Sequence, residues 1–225
     1  MSELLDNVFW HALSGAHARL AVGTSDVRRY ADGYTPLIAF ADTAVPNFAA
    51  LVPYCRPDER FYCADWSGAA PADWRIELEA TMQRMVWSGA MPDDDAWPEA
   101  VPLDASHAAA AFELAALTRP GPFGPRTIEL GEYFGVFDGE RLVAMAGERI
   151  QAGRYREISG VCTHPEQQGR GLARRLMLKL IRRELARGEL PILHVMSGNA
   201  GARGLYERMG FRSYRETPVR VIARN

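Results

Sequence analysis

The 225-residue sequence contains little cysteine and carries almost no net charge. Its three cysteines, Cys55, Cys63 and Cys162, form no C-x-x-C pair, so the sequence predicts reduced, buried thiols and no zinc or redox motif. The histidines show no H-E-x-x-H or similar spacing, and we therefore expect no metal. The 26 Lys and Arg residues are balanced by 28 Asp and Glu residues, which argues against a nucleic-acid partner held by a basic face.

Long apolar runs are absent as well. No uninterrupted apolar stretch approaches the roughly 18 residues that a membrane helix requires. The chain begins with MSELLDNVFWHALSG, which lacks the basic region followed by an apolar run that marks a signal peptide. The expected location is therefore the cytoplasm, without a membrane partner.

Two parts of the chain differ in composition. All five tryptophans lie in the first 97 residues, whereas the last third carries glycine-rich and basic segments. An acidic stretch with three prolines occupies residues 91–102, and each proline discourages a continuing helix or central strand. We therefore predict a mixed α/β segment over residues 1–98, on the substrate side, and a second domain over residues 99–225. The tryptophans either line an apolar pocket or fill the core of the first part.

The second part shows a clear order of predicted elements. Apolar residues recur on one helical stripe of Leu172–Arg187, which predicts a long helix. A hairpin is predicted at Asp138-Gly139, where both residues tolerate the positive φ of a tight primed turn, and a further hairpin is predicted at Ala152-Gly153. The order strand, glycine turn, long helix, strand, helix predicts a layered α/β or α+β fold with a parallel strand pair. The remaining predictions are a helix at His107–Leu117, a buried strand at Pro191–Met196 and a helix at about Ala200–Met209.

The most informative stretch is the glycine turn that opens the long helix. Glycines let a backbone approach a ligand closely, and the first helical N–H groups lack internal partners and carry the positive end of the helix dipole. Such a terminus binds phosphate. The stretch contains no G-x-x-x-x-G-K-[ST], and G-x-G-x-x-G fails because Arg174 lies three residues after Gly171. The sequence thus indicates a phosphate ligand without indicating ATP or NAD.

The turn resembles the pyrophosphate loop of the GNAT superfamily, the acyl-CoA-dependent N-acyltransferases. The family pattern is [QR]-x-x-G-x-[GA], and Gln168, Gly171 and Ala173 occupy its three defined positions. The family also has a strand ending in proline just before the loop, matched by Val161–Pro165, and a later N-x-x-A-x-x-L-Y-x-x-x-G-F. The later motif is matched by Asn199, Ala202, Leu205, Tyr206, Gly210 and Phe211.

The resemblance implies a mixed central sheet with flanking helices and acetyl-CoA as co-substrate. It implies that one strand splays from its neighbour and offers backbone groups to the pantetheine arm and the acyl oxygen, so that Cys162 is a bystander. Asn199 is expected to hydrogen-bond the pantetheine arm, to cap the following helix, or both. The expected cofactor-binding residues are Val161, Cys162, Thr163, Gln168, Gly169, Arg170, Gly171, Leu172, Ala173 and Asn199.

Two residues are predicted to be catalytic. An aliphatic amine is protonated at neutral pH, so a base must remove a proton before attack. Glu157 occupies a strand position where several family members carry a catalytic glutamate. Its alternatives are a solvated strand carboxylate or an ion pair with Arg156 or Arg149. The lesser candidates for the base are Glu148, His164 and a water relay. Tyr206 lies where the family's general acid reaches the departing sulfur, and its alternative is an ordinary packed tyrosine.

The leading hypothesis is an N-acetyltransferase that moves an acetyl group from acetyl-CoA to a primary amine by direct attack. The acceptor is a small molecule or a peptide, and we expect Thr118–Arg126 to line its site. The alternative is a non-catalytic acyl-CoA-binding or regulatory module. The basic residues of the long helix are expected to form a solvated face, and His194 is expected to be a satisfied core residue. The sequence leaves the acceptor and the oligomeric state open.

Overall fold

The computed structural model describes residues 3–95 and 97–225. Its helices are α1 (Glu3–Asp6), α2 (Val8–Ser14), α3 (Ala108–Thr118), α4 (Leu172–Ala186) and α5 (Ala200–Met209). Its strands are β1 (Ala21–Gly23), β2 (Val27–Tyr30), β3 (Leu37–Phe40), β4 (Arg60–Ala64), β5 (Trp74–Trp87), β6 (Val101–Leu103), β7 (Tyr133–Asp138), β8 (Arg141–Ala152), β9 (Tyr155–Thr163), β10 (Leu190–Met196) and β11 (Phe211–Arg224).

The strands of the described residues form one eleven-stranded sheet in the order β1-β2-β3-β4-β11-β5-β10-β9-β8-β7-β6. Two neighbouring pairs are parallel, β3 with β4 and β9 with β10, and the other pairs are antiparallel. The predicted fold class, a mixed sheet with flanking helices and a parallel strand pair, is confirmed.

Strand β5 belongs to the first part of the chain but lies between two strands of the last part. It pairs with β10, where Met85 is opposite Leu193, and with β11, where Trp87 is opposite Phe211. The sheet therefore passes through both parts without interruption. The predicted boundary at residue 98 falls between β5 and β6, and the division into a segment and a domain stays a prediction.

Apolar side chains cover both faces of the sheet. On one face, α4 places Leu176, Leu180 and their neighbours against β8, β9 and β10, and Tyr206 of α5 contacts the same core. On the other face, α2 contributes Val8 and Phe9 to a core with Ile192. The glutamate, histidine and arginine side chains described below lie on this second face, under α2.

Most elements predicted for the last part are confirmed. The long helix runs over Leu172–Ala186, and the shorter helix runs over Ala200–Met209 as predicted. The first hairpin pairs Asp138 with Arg141, so its loop is Gly139-Glu140, one residue later than predicted. Trp66 and Trp74 are buried among Phe40 and Phe48, so these tryptophans fill a core.

The basic side of α4 is less solvated than predicted. Lys179 is only 5% exposed, and its Nζ lies 2.5 Å from an Asp95 carboxylate oxygen and 3.1 Å from the Trp97 carbonyl oxygen. Arg183 forms two hydrogen bonds, of 2.7 and 2.6 Å, to the Glu132 carboxylate. The expectation of a solvated face is therefore wrong for Lys179, because the acidic stretch before β6 folds back onto the helix.

Among the helices of residues 3–95 and 97–225, none is both long enough and apolar enough to span a bilayer. In the same residues, no group of three or more His, Cys, Asp or Glu side chains is placed to hold a metal ion.

Candidate active site

An opening between β9 and β10 lies at the centre of the sheet. The two strands pair in parallel from Tyr155 and Leu190 to Glu157 and Ile192, and their described pairing ends there. Strand β9 nevertheless continues to Thr163, paired on its other side with β8, and β10 continues along β5. Beyond Glu157, the backbone N–H and C=O groups on the edges of β9 and β10 that face each other are therefore available to another partner, as the predicted splay requires.

The β9 side of this opening is bent by a bulge. Ser159 pairs with Gly147 and Cys162 pairs with Met145, so Gly160 and Val161 together face the single residue Ala146. Gly160 has a φ of +61°, in the left-handed region that favours glycine. A bulge redirects the following residues, and here those residues include Val161–Thr163.

The glycine turn follows β9 and leads into α4. Gly169 and Gly171 have φ values of +78° and +74°, and a β-carbon on either would meet nothing within 4 Å. Gly171 precedes the helix, and no side chain caps the helix N-terminus. The turn thus exposes backbone N–H groups at the positive end of a helix dipole, an arrangement suited to phosphate.

Glu157 lies where β9 and β10 part, and it is 1% exposed. Its carboxylate accepts hydrogen bonds from Arg149 Nε at 2.9 Å, from Arg149 Nη2 at 2.7 Å and from His194 Nδ1 at 2.7 Å. Burial, the largest single influence, would raise the pKa of Glu157. The charge and hydrogen bonds of Arg149, together with the hydrogen bond from His194, outweigh burial and lower the pKa to about 2. The carboxylate is therefore a weak proton acceptor.

A row of buried polar side chains continues from Glu157 across the sheet. Arg84 Nε on β5 donates to His194 Nε2 at 2.9 Å, and Arg84 Nη2 donates to Asp65 Oδ2 at 2.9 Å. Because a guanidinium can only donate, His194 Nε2 is an acceptor and the proton is on Nδ1, facing Glu157. Burial lowers the pKa of His194, which agrees with a neutral ring. The expectation that His194 is a satisfied core residue is confirmed.

Asp65 ends the row and lines a surface cleft together with Asp6, Arg215 and Thr217. Its Oδ1 accepts hydrogen bonds from Arg215 at 2.6 Å and from Thr217 at 2.5 Å. Burial would raise the pKa of Asp65, but Arg84 and these donors lower it. We use the term charged row for Arg149, Glu157, His194, Arg84 and Asp65. These residues come from β8, β9, β10, β5 and the turn after β4. The sequence suggested only the ion pair of Glu157 with Arg149, and that pair is confirmed.

Tyr206 lies on α5 and packs edge-on against Phe211, with ring centroids 6.2 Å apart. Burial raises the pKa of its phenol, which therefore holds its proton at neutral pH. Asn199 precedes α5, and its Oδ1 accepts a hydrogen bond from the Ala202 N–H at 3.1 Å. The predicted capping role of Asn199 is thus confirmed, while the predicted pantetheine contact stays a prediction.

Three other candidate residues have different surroundings. Cys162 is buried, and burial raises the pKa of its thiol to about 11, as expected for an inert side chain. His164 contacts Arg141. Glu148 precedes Arg149 on β8, so it points to the opposite face of the sheet, where it pairs with Arg187. Glu148 therefore lies apart from the charged row.

Comparisons with known proteins identify the fold and the family. The family model FR47-like protein matches residues 133–221. A GNAT-family crystal structure from Novosphingobium aromaticivorans is 34% identical, with full coverage of both chains and a TM-score of 0.88. A GCN5-related N-acetyltransferase from Kribbella flavida is 17% identical, covering 100% of this chain and 96% of that one with a TM-score of 0.62. The comparison with curated proteins finds no match.

The structural similarities show that the fold is that of the GCN5-related N-acetyltransferases. The 34% identity to the Novosphingobium protein over the full length of both chains also shows the family. The chain belongs to the GNAT family, and the predicted resemblance is confirmed.

Proposed function

We propose that the protein transfers an acetyl group from acetyl-CoA to a primary amine of a small molecule or peptide. The observation that carries the proposal is the opening between β9 and β10, which leads directly to an uncapped helix N-terminus with two glycines in the left-handed region. Membership of the GNAT family supports acetyl-CoA as the co-substrate.

The binding roles follow the chemistry of the ligand. The backbone of Val161–Thr163 would bind the pantetheine arm and the acyl group, because its edge toward β10 is unpaired beyond Glu157. The turn from Gln168 to Ala173 would bind the pyrophosphate through backbone N–H groups, with the helix dipole stabilising the negative charge. Asn199 already uses Oδ1 as a cap, which leaves its amide NH₂ to donate to the arm.

The proposed reaction forms a bond between the amine nitrogen and the acyl carbon and breaks the carbon–sulfur bond. The cationic amine loses one proton to solvent before attack and a second once the new bond has formed. The departing sulfur gains one proton from the Tyr206 hydroxyl, which water then reprotonates. With a pKa of about 2, Glu157 is poorly matched to hold the amine proton, so we favour the water relay. The charge of Glu157 is already balanced by Arg149, so Glu157 is kept as the alternative base. Its role as the direct base stays a prediction.

The first experiment tests the nucleotide site. Acetyl-CoA should raise the melting temperature, whereas ATP and NADH should raise it less, because only a ligand of the folded state stabilises it. The substitution Gly171→Glu should abolish the acetyl-CoA effect by placing a carboxylate in the turn. Gly188→Glu is a matched control, since Gly188 also has a φ of +74° and open space around it, at the other end of α4. Equal loss of binding in both variants would contradict the assignment.

The second experiment tests turnover. A panel of small amines and peptides with free N-termini or lysines is incubated with acetyl-CoA, and released thiol is measured. Release that depends on one class of amine supports the acetyltransferase. Acetyl-CoA binding without release by any amine would instead favour the alternative, a non-catalytic acyl-CoA-binding or regulatory module.

A further inference from the structure

Tyr133, on β7, is an almost fully buried tyrosine whose hydroxyl has no hydrogen-bond partner. The residue is 1% exposed, and its hydroxyl forms no hydrogen bond with the described residues. A buried polar group without a partner costs free energy, and such groups in native proteins call for an explanation. Phenylalanine would fill the same space without that cost.

Two glycines on neighbouring strands make room for the ring. Gly147 of β8 is directly opposite Tyr133, and a β-carbon there would lie 2.1 Å from the ring Cγ. Gly160 of β9 is next, and a β-carbon there would lie 3.1 Å from Cε1 and 3.5 Å from the hydroxyl oxygen. The ring therefore lies across β8, and its hydroxyl reaches the bulge of β9.

This bulge is the place where the proposed acyl site begins. Gly160 and Val161 form it, and the strand edge beyond Glu157 is unpaired toward β10. Phe123 also borders Gly160, with its Cε2 3.2 Å from the same β-carbon position, and packs edge-on against Tyr133. The Tyr133 hydroxyl and Phe123, which belongs to the loop predicted to line the amine-binding site, therefore both lie beside Gly160.

The charged groups near Tyr133 are already engaged. Both carboxylate oxygens of Glu157 accept hydrogen bonds from Arg149, and one also accepts from His194. Burial raises the pKa of Tyr133, so the phenol keeps its proton and can donate. The Tyr133 hydroxyl therefore remains as a neutral donor beside the bulge.

We propose that the Tyr133 hydroxyl donates a hydrogen bond to the carbonyl oxygen of the acyl group carried by coenzyme A. This inference rests on the proposed function, because it requires acetyl-CoA to bind between β9 and β10. A side-chain donor in a water-excluded site would hold the carbonyl in one orientation and stabilise negative charge as it develops on the oxygen.

The test measures binding and needs no acceptor amine. Dissociation constants of acetyl-CoA and of S-ethyl-CoA, a thioether of the same length without the carbonyl oxygen, are measured by calorimetry for the wild type and for Tyr133→Phe. Loss of one neutral hydrogen bond should weaken acetyl-CoA binding by about 3- to 10-fold and change S-ethyl-CoA binding by less than about 2-fold. The melting temperature without ligand should stay the same or rise, because the variant removes an unpaired buried hydroxyl.

Tyr30→Phe is the matched control. Tyr30 is also 1% exposed, but its hydroxyl lies 2.8 Å from His17 Nδ1. This variant should lower the melting temperature and leave the ratio of the two dissociation constants unchanged.

The outcomes separate the two proposals. If the wild type binds neither compound, the proposed function fails. If the wild type binds both and Tyr133→Phe weakens both equally or neither, the role of Tyr133 is overturned while the proposed function stands. A Tyr133→Phe protein that melts below the wild type, or does not fold, would also overturn it, since the hydroxyl would then have a structural partner.

Discussion

The glycine turn and the charged row border the same opening but are built in opposite ways. The turn consists of six consecutive residues, Gln168–Ala173, and offers backbone groups to solvent, with only Leu172 buried. The charged row consists of side chains from distant parts of the chain that are hydrogen-bonded to one another away from water. We therefore expect changes in the turn to affect ligand binding, and changes in the row to affect stability first.

The largest effect should come from Glu157→Gln. Removing the carboxylate leaves the buried Arg149 guanidinium without its counter-charge, and breaking a buried ion pair in this way costs about 3–5 kcal/mol. Urea unfolding measures the change in the free energy of unfolding. Glu166→Gln is the control, because Glu166 pairs with Arg141 at an exposed position and should change stability by less than about 1 kcal/mol. Equal effects in the two variants would contradict the structural role of the row.

The same carboxylate should make stability depend on pH in acid. Its pKa is about 2 in the folded protein against an ordinary 4.5, so the unfolded chain takes up the proton first as the pH falls. The stabilisation is complete above about pH 4.5 and is lost towards pH 2, by about 3 kcal/mol. Unfolding of wild type and Glu157→Gln at a series of pH values measures this difference.

His17 supplies an internal reference for that pH series. Burial lowers the pKa of His17 from 6.5 to about 4, with nearby arginines adding to the effect. A further loss of stability is therefore expected between about pH 6.5 and pH 4, and it should persist in Glu157→Gln. If Glu157→Gln also loses the pH dependence between pH 6.5 and pH 4, Glu157 and His17 do not contribute to acid sensitivity independently, which would contradict this prediction.

A smaller effect, on turnover alone, is expected for Tyr206→Phe. Loss of the proton donor should lower kcat by about 10- to 100-fold, toward the low end of general-acid effects because a thiolate leaves readily. The Kd of acetyl-CoA and the stability should change little, since the hydroxyl is not hydrogen-bonded to the described residues and the ring keeps its contact with Phe211. If the chemical step limits the rate and kcat of Tyr206→Phe is unchanged, Tyr206 is not the proton donor.

The smallest effect is expected for Arg170→Ala in the turn. Arg170 is exposed, so stability should change by less than about 0.5 kcal/mol, while acetyl-CoA affinity should fall a few-fold if the guanidinium contacts a phosphate. Raising the salt concentration should reduce the difference between variant and wild type, because screening weakens exposed charge interactions. If Arg170→Ala loses stability but keeps its affinity for acetyl-CoA, the expectation that changes in the turn affect binding rather than stability is wrong.

The sequence predicts the turn well because its information is local. Glycines, an amphipathic repeat and a spaced motif lie within consecutive residues, and Leu172–Ala186 and Ala200–Met209 follow from them. Apart from the pair of Glu157 with Arg149, the row could not be predicted in this way. The partners of His194 are 37 and 110 positions away, and only the strand order brings them together.

Strand β11 and Tyr133 show the same limit. The 14 residues of β11 mix charged and apolar side chains without a clear period, and they form a strand because β4 and β5 flank them. Tyr133 looks like any aromatic residue of a hairpin. The proposed role of Tyr133 depends on Gly147 of β8 and Gly160 of β9 lying beside its ring. That strand register is visible only in the folded sheet.

The position of β5 between β10 and β11 has a consequence for synthesis on the ribosome. Residues 74–87 are made about a hundred residues before β10 begins at Leu190. At roughly 5–20 residues per second, this strand waits at least several seconds before either of its final neighbours exists. Until then both of its edges lack their native partners, so the nascent chain is most open to chaperones, or to pairing with another copy, before its last 36 residues emerge.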